Sequence, residues 1–250
     1  MSKRSITFGI VLTLTLISVL SLTFNVQSVR ANEETIWETI FIRADGSVDP
    51  PEAPIARNYD LYVLTGNISS YTDGIVIERN NMTLDGAGYT LQGTEAVYSK
   101  GLYLTSRSNV TIQNINVKGF HFGFYLISSS YNAILGNIIA SNSYGVWLDS
   151  SSNSNTISEN SIRATVQTGI SVYDSSSCSI AGNDITNNWG GIGLFESSEC
   201  SIVGNNITTN DWGISFGLAS GNSIYHNNFV DNTYQVYPGV STNVWDDGYP

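Results

Sequence analysis

The chain has 250 residues, enough for one or two domains, and a net charge of −11 although only 12% of its residues are charged. With 34 Ser, 26 Asn and 41% hydrophobic residues, it lacks the Ala, Glu, Lys and Leu of a helical bundle or coiled coil, yet holds enough Ile, Val and aromatics to bury a core. No Lys or Arg follows Arg163, against eight Asp or Glu, so nucleic acid is excluded as a partner.

Residues 1–31 read as a signal peptide. Lys3 and Arg4 form a positive start, Phe8 to Phe24 is apolar apart from Thr, Ser and Gly, and Val29-Arg30-Ala31 supplies a cleavage site. The alternative is an uncleaved anchor, which is the only route to a membrane that the sequence offers. Without this segment the balance is 7 basic against 21 acidic residues, or −14. The remainder is therefore expected to be secreted or exposed at the cell surface. Sequons at Asn67, Asn81, Asn109 and Asn206 are glycosylation candidates that suit this location. Residues 32–60 are expected to cap the N-terminal end of a repeat array, because a stack of strands needs its open end covered.

From Gly101 onward the sequence repeats. Gly101-Leu-Tyr-Leu recurs as Gly123-Phe-Tyr-Leu, Gly145-Val-Trp-Leu, Gly169-Ile-Ser-Val, Gly191-Ile-Gly-Leu and Gly213-Ile-Ser-Phe, at intervals of 22, 22, 24, 22 and 22 residues. A second block keeps step through Ile112, Ile134, Ile157, Ile180, Ile202 and Ile224. Three residues after each Ile from the second copy onward comes Asn137, Asn160, Asn183, Asn205 or Asn227; the first copy has Ile115 there. Stacked coils about 4.8 Å apart turn each such column into a ladder of like residues. Leu102 through Ile214 and Leu104 through Phe216 then form two buried ladders. The glycines suit a bend or a close backbone approach, and a ladder of amides satisfies its own hydrogen bonds.

Leucine-rich repeats share the period but need a Leu-rich pattern and a convex helix, and a left-handed hexapeptide helix needs a six-residue subrepeat. The remaining fold is an all-β, single-stranded right-handed parallel β-helix. It has seven or eight coils of 22–24 residues over residues 61–232, with 233–250, including Asp246 and Asp247, as a partial C-terminal cap.

Three sets of residues are candidates for chemistry. Cys178 and Cys200 share a column with Asn132, Asn155 and Asn222, so they stack about 5 Å apart, either as a disulfide or as two buried thiols. Asp174 and Glu196 also stack. They are either a retaining glycosidase pair or a calcium site, or else two solvated turn residues. Tyr103, Tyr125 and Trp147 stand between the two buried ladders and point outward. They form either a platform for sugar rings or a ladder that only stabilises the sheet. Ser171, Gly193 and Ser215 come next in that column, which predicts a platform confined to the N-terminal half.

The repeats resemble those of the NosD-like proteins, also grouped as the carbohydrate-binding and sugar-hydrolase domain. The resemblance rests also on Ile42-Arg-Ala-Asp-Gly-Ser-Val-Asp-Pro-Pro51, Leu84-Asp-Gly-Ala-Gly-Tyr-Thr-Leu-Gln-Gly93, Asn222-Ser-Ile-Tyr-His-Asn-Asn-Phe-Val-Asp-Asn-Thr233 and Asn243-Val-Trp-Asp-Asp-Gly-Tyr-Pro250. These are similar to segments of secreted archaeal members and cover about residues 36–250. The resemblance implies the fold, and its name implies copper handling. The soft ligands are His121, His226, Cys178, Cys200 and Met82, with no metal-binding cluster, so neither a metal nor another cofactor is expected. The Asp-Pro-His-Asp signature of related epimerases is missing. In relatives the last motif continues, which suggests a module of a larger surface protein. The function expected is a non-catalytic binding or structural module with a polysaccharide or glycan surface as partner. The alternatives are a polysaccharide-active enzyme and a NosD-like accessory protein.

Overall fold

A computed structural model describes residues 35–245; the expected signal segment and the Asp246–Asp247 pair lie outside them. Every regular element among the described residues is a short strand, as Ser-, Asn- and Gly-broken alternation dictates. The strands assemble into three sheets of nine, ten and nine members. Successive repeats pair in parallel and in register: Leu102 faces Phe124, Phe124 faces Val146, and Val146 faces Ile170. One repeat is therefore one coil, and the whole is an all-β solenoid of about eight turns.

The ten-stranded sheet contains Lys100–Thr105, Phe122–Ile127, Tyr144–Asp149, Thr168–Tyr173, Gly190–Phe195 and Trp212–Gly217. The other two carry the ladder from Ile112 to Ile224 and the ladder from Val117 to Phe229. Their inward residues meet in one continuous core along the solenoid.

The repeat glycines have a purely steric role. From Gly101 to Gly213 none of the six adopts a positive φ. A Cβ on Gly145 would instead lie 2.3 Å from the carbonyl oxygen of Gly169, and one on Gly191 would lie 2.4 Å from that of Gly213. Left-handed backbone falls five residues later, at Ser106, Ser128, Ser150, Asp174, Glu196 and Leu218, where each strand bends out of the sheet.

Polar ladders hold the bends. The Asn160 Oδ1 accepts the Asn137 N–H at 2.9 Å and its side-chain amide at 3.0 Å, and the pattern repeats through Asn183, Asn205 and Asn227. A second amide ladder runs through Asn188, Asn210 and Asn232, with Asn142 and Thr165 in the same column. Ser129, Ser152, Ser175 and Ser197 form a third, each hydroxyl after the first accepting the N–H of the serine one coil earlier.

Both terminal segments contribute strands. Ile36–Trp37 pairs in parallel with Ser69 and Ser70, while Ile55–Asn58 folds antiparallel onto Leu61–Leu64. Tyr234–Tyr237 adds a further parallel strand beside Trp212–Gly217.

Candidate functional site

The outer face of the ten-stranded sheet bears the aromatic residues. Each central strand buries its second, third and fifth residues, because the glycine and the residue after it both face the core. The first and fourth residues therefore point outward together. This aligns two columns side by side: Lys100, Phe122 and Tyr144, and Tyr103, Tyr125 and Trp147.

The two columns interlock. Tyr103 stacks on Tyr125 with ring centroids 5.7 Å apart and 10° between planes, and Phe122 stacks on Tyr125 at 4.8 Å. Tyr144 stacks on Phe122 at 5.4 Å, and Trp147 meets Tyr144 edge-on at 4.7 Å. Tyr103, Tyr125 and Trp147 are thus brought together as the sequence predicts. Phe122 and Tyr144 enlarge the tile; their signal is an aromatic residue directly before the repeat glycine. All five rings are half-buried.

Polar groups frame the tile. The Tyr125 hydroxyl donates to Asp149 at 3.1 Å. Burial, then the Asp149 charge and hydrogen bond, push the Tyr125 phenol up to about 12. Lys100 lies 5.1 Å from the Tyr103 ring centre and 3.5 Å from Asp73. A cleft of about 450 Å³ beside Tyr103 is lined by Val76, Glu78, Thr105 and Arg107 among others. The Arg107 guanidinium donates to the carbonyls of Glu78 and Thr105. His121 packs beside the tile against Phe122 and Tyr144. Burial, then Lys100, lowers its pKa.

The aromatic surface does not stop with the N-terminal half. Its first stretch ends where the outward column becomes Ser171 and Gly193, but adjoining columns restart it. Trp212 stacks on Tyr234 with centroids 4.3 Å apart, and Tyr237 meets Trp212 edge-on at 5.3 Å. Trp189 and Phe195 lie exposed on the same side.

The other candidates stand outside the aromatic columns. Asp174 and Glu196 occupy the left-handed bend column and are exposed; Glu196 accepts a hydrogen bond from Tyr173 at 3.3 Å. Ser128 and Ser150 hold the same bend on preceding coils, so the position demands a backbone conformation and no carboxylate. Cys178 and Cys200 are buried free thiols, not a disulfide. They replace amides in their ladder: the Cys178 thiol donates to the Ser152 carbonyl at 3.5 Å, as the Asn155 amide donates to that of Ser129. A hydrogen bond with Cys200, then burial, holds the Cys178 thiol above its ordinary range. Asn67, Asn81, Asn109 and Asn206 all lie exposed at the surface.

A family model described as periplasmic copper-binding protein (NosD) matches residues 59–249. Among solved structures, the periplasmic alginate epimerase AlgG is 17% identical with a TM-score of 0.55, over 72% of this chain and 50% of that one. A DFA-IIIase from Arthrobacter chlorophenolicus A6, in complex with GF2, is 12% identical with a TM-score of 0.52, over 68% of this chain and 44% of that one. At these identities the likeness shows the fold, and the chain spans about half the length of those proteins or less. No curated protein matches the sequence.

The side chains present do not fit copper. A copper site needs several imidazole, thiolate or thioether donors converging. Here His121 lies among aromatic rings, His226 follows a strand of another sheet, both thiols bond to carbonyls, and Met82 is in the core. Among the described residues no three His, Cys, Asp or Glu side chains converge on a common point.

Proposed function

We propose, from the premise that this chain belongs to the NosD family, that it is a periplasmic or surface β-helix protein that binds glycan without catalysing its turnover. The observation that carries this reading is the five-ring tile of Tyr103, Phe122, Tyr125, Tyr144 and Trp147. Flat ring faces accept the apolar C–H faces of sugar rings, and polar groups at their edges bond the hydroxyls. Asp149, Glu78, Lys100 and Thr105 supply such groups here. The tile is preorganised, since each ring is held by another ring or by a hydrogen bond, so binding costs little side-chain entropy. The strand spacing of about 4.8 Å lets a polymer lying along the solenoid meet the same geometry on successive coils.

Catalysis lacks a comparable arrangement. Asp174 and Glu196 are solvated bend residues, and no cation follows Arg163 to assist a lyase. The test is retention of the protein on immobilised polysaccharides, native against Trp147→Ala. Loss of retention with an unchanged circular dichroism spectrum supports the reading. Equal retention of both proteins contradicts it.

A further inference from the structure

We infer that the C-terminal part of the ten-stranded sheet carries a second sugar subsite, a cleft between Trp189 and Tyr237 that takes one ring of a neutral glycan. The inference rests on the glycan reading above and adds to it a separate site and a substrate class.

The cleft measures about 330 Å³, at the small end of ligand sites. Its floor depends on two glycines. A Cβ on Gly193 or on Gly217 would lie 2.7 Å from ring atoms of Phe195, so the Phe195 ring lies across both positions. Its wall depends on a third. Trp212 is covered on one face by Tyr234, at 4.3 Å and 18° from parallel. The residue paired with Trp212 on the preceding coil is Gly190, which has no side chain to cover the other face. Thr168 pairs with Gly190 one coil further on. Two strand spacings, about 9.6 Å, thus separate Trp212 from Thr168, which is room for one ring stacked on the indole. Trp189 and Tyr237, 51% and 52% exposed, flank this slot. The Thr168 and Ser215 hydroxyls line it as hydrogen-bond partners.

Charge decides the class of sugar. No Lys or Arg occurs beyond Arg163, and the neighbouring bends carry Asp174, Glu196 and Asp211. A uronate polymer would meet like charge with no cation to offset it. An uncharged sugar has no such penalty, and the carboxylates can accept its hydroxyls.

The test is calorimetric titration of the full chain with short uncharged cello-, manno- and malto-oligosaccharides, and with oligoguluronate and oligogalacturonate as acidic counterparts. At least one uncharged series should bind, and the acidic ones should not. Trp189→Ala should weaken binding about tenfold, the loss of one aromatic wall of the slot. Gly190→Val, which fills the slot and keeps every aromatic residue, should do the same. The inference is overturned if no uncharged series binds, if the acidic series binds better, or if both cleft variants bind like the native chain. It is also overturned if Trp189→Ala only dissolves a dimer. A Trp147→Ala variant that loses polymer retention while both cleft variants bind normally leaves the tile standing and removes only the cleft.

Discussion

Asn183 accepts two hydrogen bonds from Asn160 on the neighbouring coil, one from the backbone N–H and one from the side-chain amide, both at 3.0 Å. Its own amide donates to the Ile157 carbonyl at 2.9 Å and to Asn205 at 2.9 Å. Replacing Asn183 with Ala leaves two buried donors of Asn160 unpaired at the middle of the solenoid. The expected loss is about 2–4 kcal/mol of stability, measured by urea unfolding. Asn228→Ala, at an exposed amide that donates to Asn206, should cost less than about 1 kcal/mol.

The repeat glycines predict a sharper contrast. Gly145→Ala places a methyl 2.3 Å from the Gly169 carbonyl oxygen, and backbone on both coils must move. A loss of about 3 kcal/mol or failure to fold is expected. Gly190→Ala places its methyl 3.1 Å from the Thr168 hydroxyl, which can rotate away, so the cost should stay under about 1 kcal/mol.

Cys178 and Cys200 should behave as buried free thiols. An alkylating agent should label neither in the native protein and both after denaturation without reductant, as read by mass spectrometry. A denatured protein that stays unlabelled until reduced would show that the two join in a disulfide.

Tyr125 predicts a pH dependence. Its folded pKa is raised to about 12, first by burial and then by Asp149, above the value near 10 of an unfolded tyrosine. The folded state therefore holds the proton more tightly, and this contribution to stability is complete below pH about 10 and is lost as pH rises towards about 12. Native phenolate absorbance should show a Tyr125 step that comes later than those of the exposed tyrosines. Tyr125→Phe should remove that late step and flatten the alkaline loss of stability.

The fold was legible because stacking converts period into columns. The ladder from Ile112 to Ile224 and the amides from Asn137 to Asn227 vary little, since each buried position meets its own kind above and below. The ladder through Asn142, Asn188 and Asn232 was harder to read, because Phe120 and Thr165 stand in two of its copies. The aromatic surface was half legible. Tyr103, Tyr125 and Trp147 follow from strand alternation alone. Phe122, Tyr144 and Trp212 do not, because simple alternation sends the residue before each glycine to the wrong face. The C-terminal cleft depends on what glycine lacks: Gly193 interrupts the aromatic column in the sequence, and in the structure it makes room for Phe195.

The most direct test of the central claim is incubation of the protein with a panel of neutral and acidic polysaccharides, reading both retention and released products by mass spectrometry. The account predicts retention that falls on Trp147→Ala, with no new oligosaccharides. New oligosaccharides that vanish on Asp174→Ala or Glu196→Ala would contradict it and make the protein an enzyme.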